Sequence, residues 1–194
     1  MDGVTITLRL ETPERDGQRF LVPRVSITNG SRSAIGLYAR LGRLEPNEAY
    51  IQVDSGVLSI EKNILTPPSG VEAAETFVPY VMVVEPGGSF HERLRYPIPV
   101  RSDHPMRALA LELSSSEPME AVADRSVNVS RVRFSIGAFV RTPSVRLAPV
   151  GDRHPGVFNL LPPVPSHETL TVEARLPGPV AALDYRLQRP PWAR

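Results

Sequence analysis

Apolar and polar residues alternate with a period of two along most of this chain. Val4, Ile6, Leu8 and Leu10 are separated by Thr5, Thr7 and Arg9, which predicts a half-buried N-terminal strand. A second strand is predicted over Phe20–Thr28, where Phe20 and Val22, then Val25 and Ile27, are apolar; the change of phase at Pro23-Arg24 reads as a bulge or an edge position. Asn29-Gly30-Ser31 is a turn, Ile35–Leu41 a third strand, and Tyr50–Leu58 a fourth with a bend at Asp54-Ser55-Gly56. Val78–Tyr96 is the pattern around which the rest is organised. Val81–Val84 is a continuous apolar run, Glu85-Pro86-Gly87-Gly88 is turn chemistry, and Phe90, Leu94 and Tyr96 then alternate with His91, Arg93 and Arg95. Together these predict a core hairpin.

The same period continues toward the C-terminus. Met106–Leu113 and Val127–Val140 read as strands, the latter with a bulge where the buried phase switches near Ser130-Arg131. Val145–Leu147 and Val157–Leu161 are shorter. Leu170–Leu176 and Ala181–Leu187 alternate cleanly on either side of Pro177-Gly178-Pro179, a connection between two strands. Helix is confined to one turn over Val71–Thr76 and a short segment over Met119–Ala123 capped by Ser116, with Glu117, Glu120 and Asp124 on a solvated face. Roughly ten to twelve short strands with turns between them predict an all-β antiparallel sandwich, immunoglobulin-like or jelly-roll-like, with little helix. One extended domain is expected over residues 1–187, followed by a Pro-rich tail over 188–194.

Composition narrows the chemistry. With 194 residues, 41% hydrophobic, the chain is long enough to bury a core. The 21 prolines suit edges and connections and argue against a helical fold. A net charge of +1 gives no whole-molecule field toward nucleic acid or an anionic membrane. Among the 22 basic residues only Lys62 is lysine, a bias expected from codon usage in a GC-rich genome. The absence of cysteine removes disulfides, zinc–thiolate sites and thiol catalysis, and suits a reducing cytoplasm. The N-terminus runs directly into a strand pattern without the basic and apolar regions of a signal peptide, and no apolar run reaches transmembrane length. A cytoplasmic location is therefore expected. Asn29-Gly30-Ser31 and Asn128-Val129-Ser130 match the glycosylation sequon but lack that secretory context.

Three stretches together resemble bacterial immunoglobulin-like modules, including those of the intracellular proteinase-inhibitor type. They are the strand ending in Asn29-Gly30-Ser31, the run Tyr50–Val57, and Val84-Glu85-Pro86-Gly87-Gly88-Ser89-Phe90. The resemblance covers about Phe20–Leu113. The tryptophan that often follows the Pro-Gly turn in such modules is replaced here by Leu94 and Tyr96. The resemblance implies a sandwich and supplies no functional residues.

Catalytic motifs are missing. There is no Gly-x-Ser-x-Gly elbow, and Gly87-Gly88 lacks the Lys-Ser/Thr and helix of a phosphate loop. Three histidines fall in loops: His104 beside Asp103, His154 near Asp152, and His167 beside Glu168. If the loops converge at one end of a sandwich, these groups suit zinc or non-haem iron, although no pair has the spacing of a preorganised site. The main polar feature is arginine. Arg93 and Arg95 share one strand's outer face, and Arg131 and Arg133 share another's. Were those strands neighbours, four guanidinium groups would form a patch for a carboxylate-rich or phosphorylated partner. No aromatics are interleaved with them, so single-stranded nucleic acid is not the expected ligand. Six Phe, five Tyr and one Trp, mostly on inward phases, give little for a carbohydrate platform. The sequence thus favours a non-enzymatic protein-interaction module needing no cofactor, contacting its partner through an exposed strand edge, expected at Val145–Leu147 or Val157–Leu161 in the C-terminal half, or through the outer-face arginines. A metal-dependent enzyme using the loop histidines and a small-ligand or carbohydrate-binding module are the alternatives.

Overall fold

A computed structural model describes residues 1–41, 47–64, 78–102 and 120–188. All regular structure among them is strand, in two sheets packed as a sandwich, and no helix there is long and apolar enough to cross a membrane. The segments Val71–Thr76 and Met106–Leu113 lie outside the described residues, as does the tail beyond Gln188.

The small sheet is built on β3 (Gln18–Asn29), which has β1 (Val4–Glu11) on one side and β8 (Ser89–Arg93) and β9 (Tyr96–Pro97) on the other. The two-residue β2 (Glu14–Arg15) folds back on the start of β3 through Asp16-Gly17, both at positive φ. The expected break at Pro23-Arg24 is absent from β3. Leu21, Pro23, Val25, Ile27 and Asn29 are all buried, so the inward phase is continuous and Pro23 is one of its members. The register with β1 also runs unbroken past Pro23. What Pro23 does is interrupt its other neighbour. Proline has no N–H to donate, and the ladder pauses there: Arg24 faces Arg93 and Leu21 faces Tyr96, in the same register on both sides of the gap. The Pro23 carbonyl still accepts the Leu94 N–H at 2.9 Å.

The large sheet is organised by β11 (Glu120–Val140) and β14 (Glu168–Gln188), antiparallel over nearly their full lengths. Glu120–Ala123 is therefore strand rather than helix. The bulge expected near Ser130-Arg131 is present: Leu176, Pro177, Gly178 and Pro179 stand opposite Ser130 alone. Pro177-Gly178-Pro179 is thus a bulge inside one strand, and the chain does not reverse there. Beyond β14 lies the short parallel β10 (Val100–Arg101).

The other edge of β11 is divided. Arg131–Ile136 pairs in parallel with β6 (Val57–Lys62), and Ala138–Val140 pairs antiparallel with β4 (Ile35–Arg40). β6 continues outward to β5 (Tyr50–Asp54) through a tight turn with Ser55 and Gly56 both at positive φ, so the expected single bent strand is a hairpin. β4 continues to β7 (Tyr80–Val84), then β13 (Val157–Leu160) and β12 (Leu147–Pro149). The partner changes at Gly137, where a Cβ would overlap the Tyr38 ring; only glycine lets that ring lie across the strand.

β7 and β8 do not form a hairpin. β7 belongs to the large sheet and β8 to the small one, so Glu85-Pro86-Gly87-Gly88 carries the chain between layers. Asn29 holds this arch: its backbone N–H donates to Gly88 O, its carbonyl accepts from Gly87 N, and its Nδ2 donates to Val84 O and Ser33 O, both at 2.9 Å. That bonding also withdraws the first sequon's amide from solvent. The main core lies between the layers, with Leu21, Val25, Ile27, Phe90 and Leu94 facing Leu37, Leu58, Ile60, Val132, Phe134 and Ile136. A second cluster on the far side of the large sheet holds Tyr38, Val81, Phe139 and Leu160.

Phe134→Ala should cost about 3–5 kcal/mol, because the ring is fully buried between layers and its removal leaves a cavity. Gly137→Ala should cost roughly 1–3 kcal/mol through overlap with Tyr38. Denaturant titration measures both; a neutral Gly137→Ala would refute the close ring crossing.

Candidate functional site

The four outer-face arginines do not assemble. β8 and β11 are in different sheets, so Arg93 and Arg95 lie apart from Arg131 and Arg133. Both of the latter are paired to one carboxylate of β14: Arg131 Nη1 bonds Glu173 Oε1 at 2.9 Å, and Arg133 bonds Oε2 at 3.0 and 3.2 Å. Arg95 lies over the Phe20 ring, its Cζ 3.7 Å from the centroid. Arg93 is exposed and stands beside arginines from other strands. Cross-strand register places Arg9 against Arg24 and Arg24 against Arg93. Residues directly opposite share a face, so Arg9, Arg24 and Arg93 form one row across three strands on the outside of the small sheet. Only Arg24 has a carboxylate among the described residues, with Nε 2.8 Å from Glu11 Oε1 and Nη2 3.1 Å from Oε2.

Two of the three loop histidines fall among the described residues. His154 sits in a backbone turn, donating its N–H to Gly151 O and accepting from Val157 N. His167 packs edge-on to Tyr38 with centroids 5.3 Å apart. His104 lies outside the described residues. Among the described residues no group of three His, Asp or Glu is placed to hold a metal ion.

A buried charge cluster went unnoticed in the sequence. Glu92 sits on the inward phase of β8, in one row with Leu8 and Val25, and its side chain is 2% exposed. Lys62, at the end of β6 and 0% exposed, reaches across the core with Nζ 2.9 Å from both Glu92 oxygens. The bond to Oε1 is well directed, whereas Oε2 lacks a properly aligned donor. Lys62 also donates to Ala39 O at 3.1 Å, and Arg40 bonds both Glu92 Oε1 and Ala39 O. Two cations from the large sheet thus answer one carboxylate from the small sheet. Burial pushes the Lys62 ammonium from 10.5 down to about 8, against the opposing pull of Glu92. Two sequence signals mark this cluster: Glu92 falls in phase between Phe90 and Leu94, and Lys62 is the single lysine in an arginine-rich chain. Because Glu92 comes from the small sheet and Lys62 and Arg40 from the large one, the cluster joins the layers.

One open groove, about 430 Å³ in volume, lies where β11 ends. Phe139, Val140, Val145, Pro163, Val164 and Pro165 line it together with the polar Thr142, Ser144 and Glu168. The three exposed large hydrophobics of the described residues are Val140, Leu161 and Val164, at 44, 38 and 39%. Two line the groove, and the third adjoins it, its N–H bonded to Arg146 O.

No family model, curated protein or solved structure matches the chain.

The buried cluster has a pH signature. Between pH 8 and 10.5 the unfolded chain keeps the Lys62 proton that the folded chain has released, so stability rises with pH there. Burial acts oppositely on the phenols, raising Tyr38 to about 12 and Tyr96 further, so their contribution is lost as pH climbs above 10. Unfolding free energy of the wild type relative to Lys62→Met should therefore increase from pH 8 to 10. A difference that stays flat across that window would refute the depressed ammonium. Glu92→Ala should cost about 3–5 kcal/mol at neutral pH, since it strands buried cations.

Proposed function

We propose that this chain is a non-enzymatic protein-interaction module that receives a partner polypeptide at the groove where β11 ends. The observation that carries this reading is that two of the three exposed large hydrophobics of the described residues, Val140 and Val164, line the same groove. Scattered exposed aliphatics are ordinary on a soluble surface, whereas contiguous ones rimmed by polar groups mark contact sites. Val140 and Val164 supply apolar lining, and Thr142, Ser144 and Glu168 supply polar groups beside it.

The neighbouring strand edge argues for side-chain docking rather than strand addition. β12 ends its sheet among the described residues, but it is three residues long and finishes in Pro149, two devices that discourage edge pairing. Arg146 is also engaged, its carbonyl accepting from Leu161 N and its guanidinium donating to Pro162 O. A proline there would disturb the β12–β13 closure as well as block the edge, so it is a poor probe. Among the described residues the metal-dependent alternative lacks a ligand set, and the carbohydrate alternative lacks an exposed aromatic platform.

The test is quantitative crosslinking capture with wild type, Val140→Glu/Val164→Glu and Arg131→Ala/Arg133→Ala. A partner held by the wild type and the arginine variant should be lost by the glutamate variant, with unfolding temperature within a few degrees of wild type. Retention of the same partner by the glutamate variant would remove the groove from the interface.

A further inference from the structure

The outer face of the small sheet is polar in a regular way. Across β1, β3 and β8 the facing residues form three rows: Thr5, Thr28 and Ser89; Thr7, Ser26 and His91; Arg9, Arg24 and Arg93. The first two rows bond within themselves, Thr28 Oγ1 to Ser89 Oγ at 3.2 Å and Ser26 Oγ to His91 Nδ1 at 2.9 Å. The third does not. Like charges directly opposite one another on neighbouring strands destabilise a sheet, and here three stand side by side. Glu11 answers only the middle one, with both carboxylate oxygens. Arg9 and Arg93 flank that pair, exposed and without a carboxylate among the described residues, with backbones about 10 Å apart given two interstrand steps. Arg95 extends the basic strip along β8, already oriented by stacking on Phe20.

We propose that this row is a binding site for a carboxylate-rich segment of a partner polypeptide. Charge complementarity sets the sign of the ligand: two uncompensated guanidinium groups present planar donor forks that match carboxylates bidentately. The surroundings set its class. A nucleic-acid backbone would draw on a broad field and on stacking rings, but the chain carries a net charge of only +1, the Phe20 ring is covered by Arg95, and the His91 ring beside the strip is bonded to Ser26. A short basic row set among hydroxyls, with one arginine already stacked on an aromatic, matches instead the polar and arginine-rich surface of a protein contact. Glu11 occupies the central arginine as the ligand's carboxylates would, so it acts as a built-in competitor. This face is on the opposite sheet from Val140, and the proposal does not depend on the groove.

Fluorescence anisotropy with a labelled glutamate-rich peptide tests it, with an oligothymidylate strand and heparin as comparison probes at the same low ionic strength. The wild type should bind the peptide, more weakly as salt is raised. Arg9→Ala/Arg93→Ala should lower affinity about tenfold while leaving the fold no less stable, since it relieves repulsion. Glu11→Gln should raise affinity about twofold or more by freeing Arg24. Arg131→Ala/Arg133→Ala, on the other sheet and paired to Glu173, should change it less than about twofold, and Val140→Glu/Val164→Glu should likewise leave it unchanged. Three results would overturn the assignment: no peptide binding by the wild type, equal loss in the Arg131/Arg133 variant, or tighter binding of the oligonucleotide or heparin than of the peptide.

Discussion

A strand has two edges, and the large sheet follows from how β11 uses them. One edge is given to β14 along its length. The other must satisfy a row of backbone donors and acceptors that no single partner covers, because β6 pairs with it only as far as Ile136 and β4 only from Ala138. The two partners run in opposite senses relative to β11, so the sheet forks there. The fork needs space at Gly137, where the Tyr38 ring crosses, and a start point at the bulge, where Ser130 N donates to Gly56 O in the β5–β6 turn. The two irregularities in this stretch of β11 thus mark where β6 begins and where it hands over to β4.

That fork also positions the charges. β6 ends at Lys62 and β4 at Arg40, so the two strands deliver two cations near one another on the inner side of the large sheet. Glu92 meets them from the small sheet. Burying ions without partners is prohibitive, whereas burying them paired is close to neutral relative to apolar packing. The cluster therefore adds little net stability but penalises any sliding of one layer over the other, because a shift that separates Glu92 from Lys62 strands both. Apolar contacts between sheets are non-directional and do not supply that constraint.

The strands were legible in the sequence because half-buried strands write a period of two. Partners were not. A turn such as Glu85-Pro86-Gly87-Gly88 reads the same whether the chain reverses within a sheet or passes to the opposite one, and what decides is Asn29, distant in sequence. Pro177-Gly178-Pro179 misleads for the same reason: a bulge and a connection share residue types, and only pairing of both flanks to β11 separates them. Pro23 shows the converse error, since counting proline as a break hid an unbroken inward phase. The arginine patch was half legible. The outward phase of Arg93 follows from alternation, but its neighbours Arg9 and Arg24 come from a register that alternation does not encode.

A sheet face under no functional demand would dilute its charges. The hydroxyl rows of the small sheet do so, bonding internally and carrying little charge; on the large sheet Arg131 and Arg133 share Glu173, although Arg131 also stands opposite Arg175. The Arg9–Arg24–Arg93 row departs further, because two of its three arginines have no carboxylate among the described residues. The chain's general preference for arginine over lysine bears on which basic residue stands at these positions; it does not bear on why three of them align with a single carboxylate among them. Retaining repulsion on a solvent face is a local cost that a bound anion removes, since each guanidinium gains a partner that the free chain does not provide.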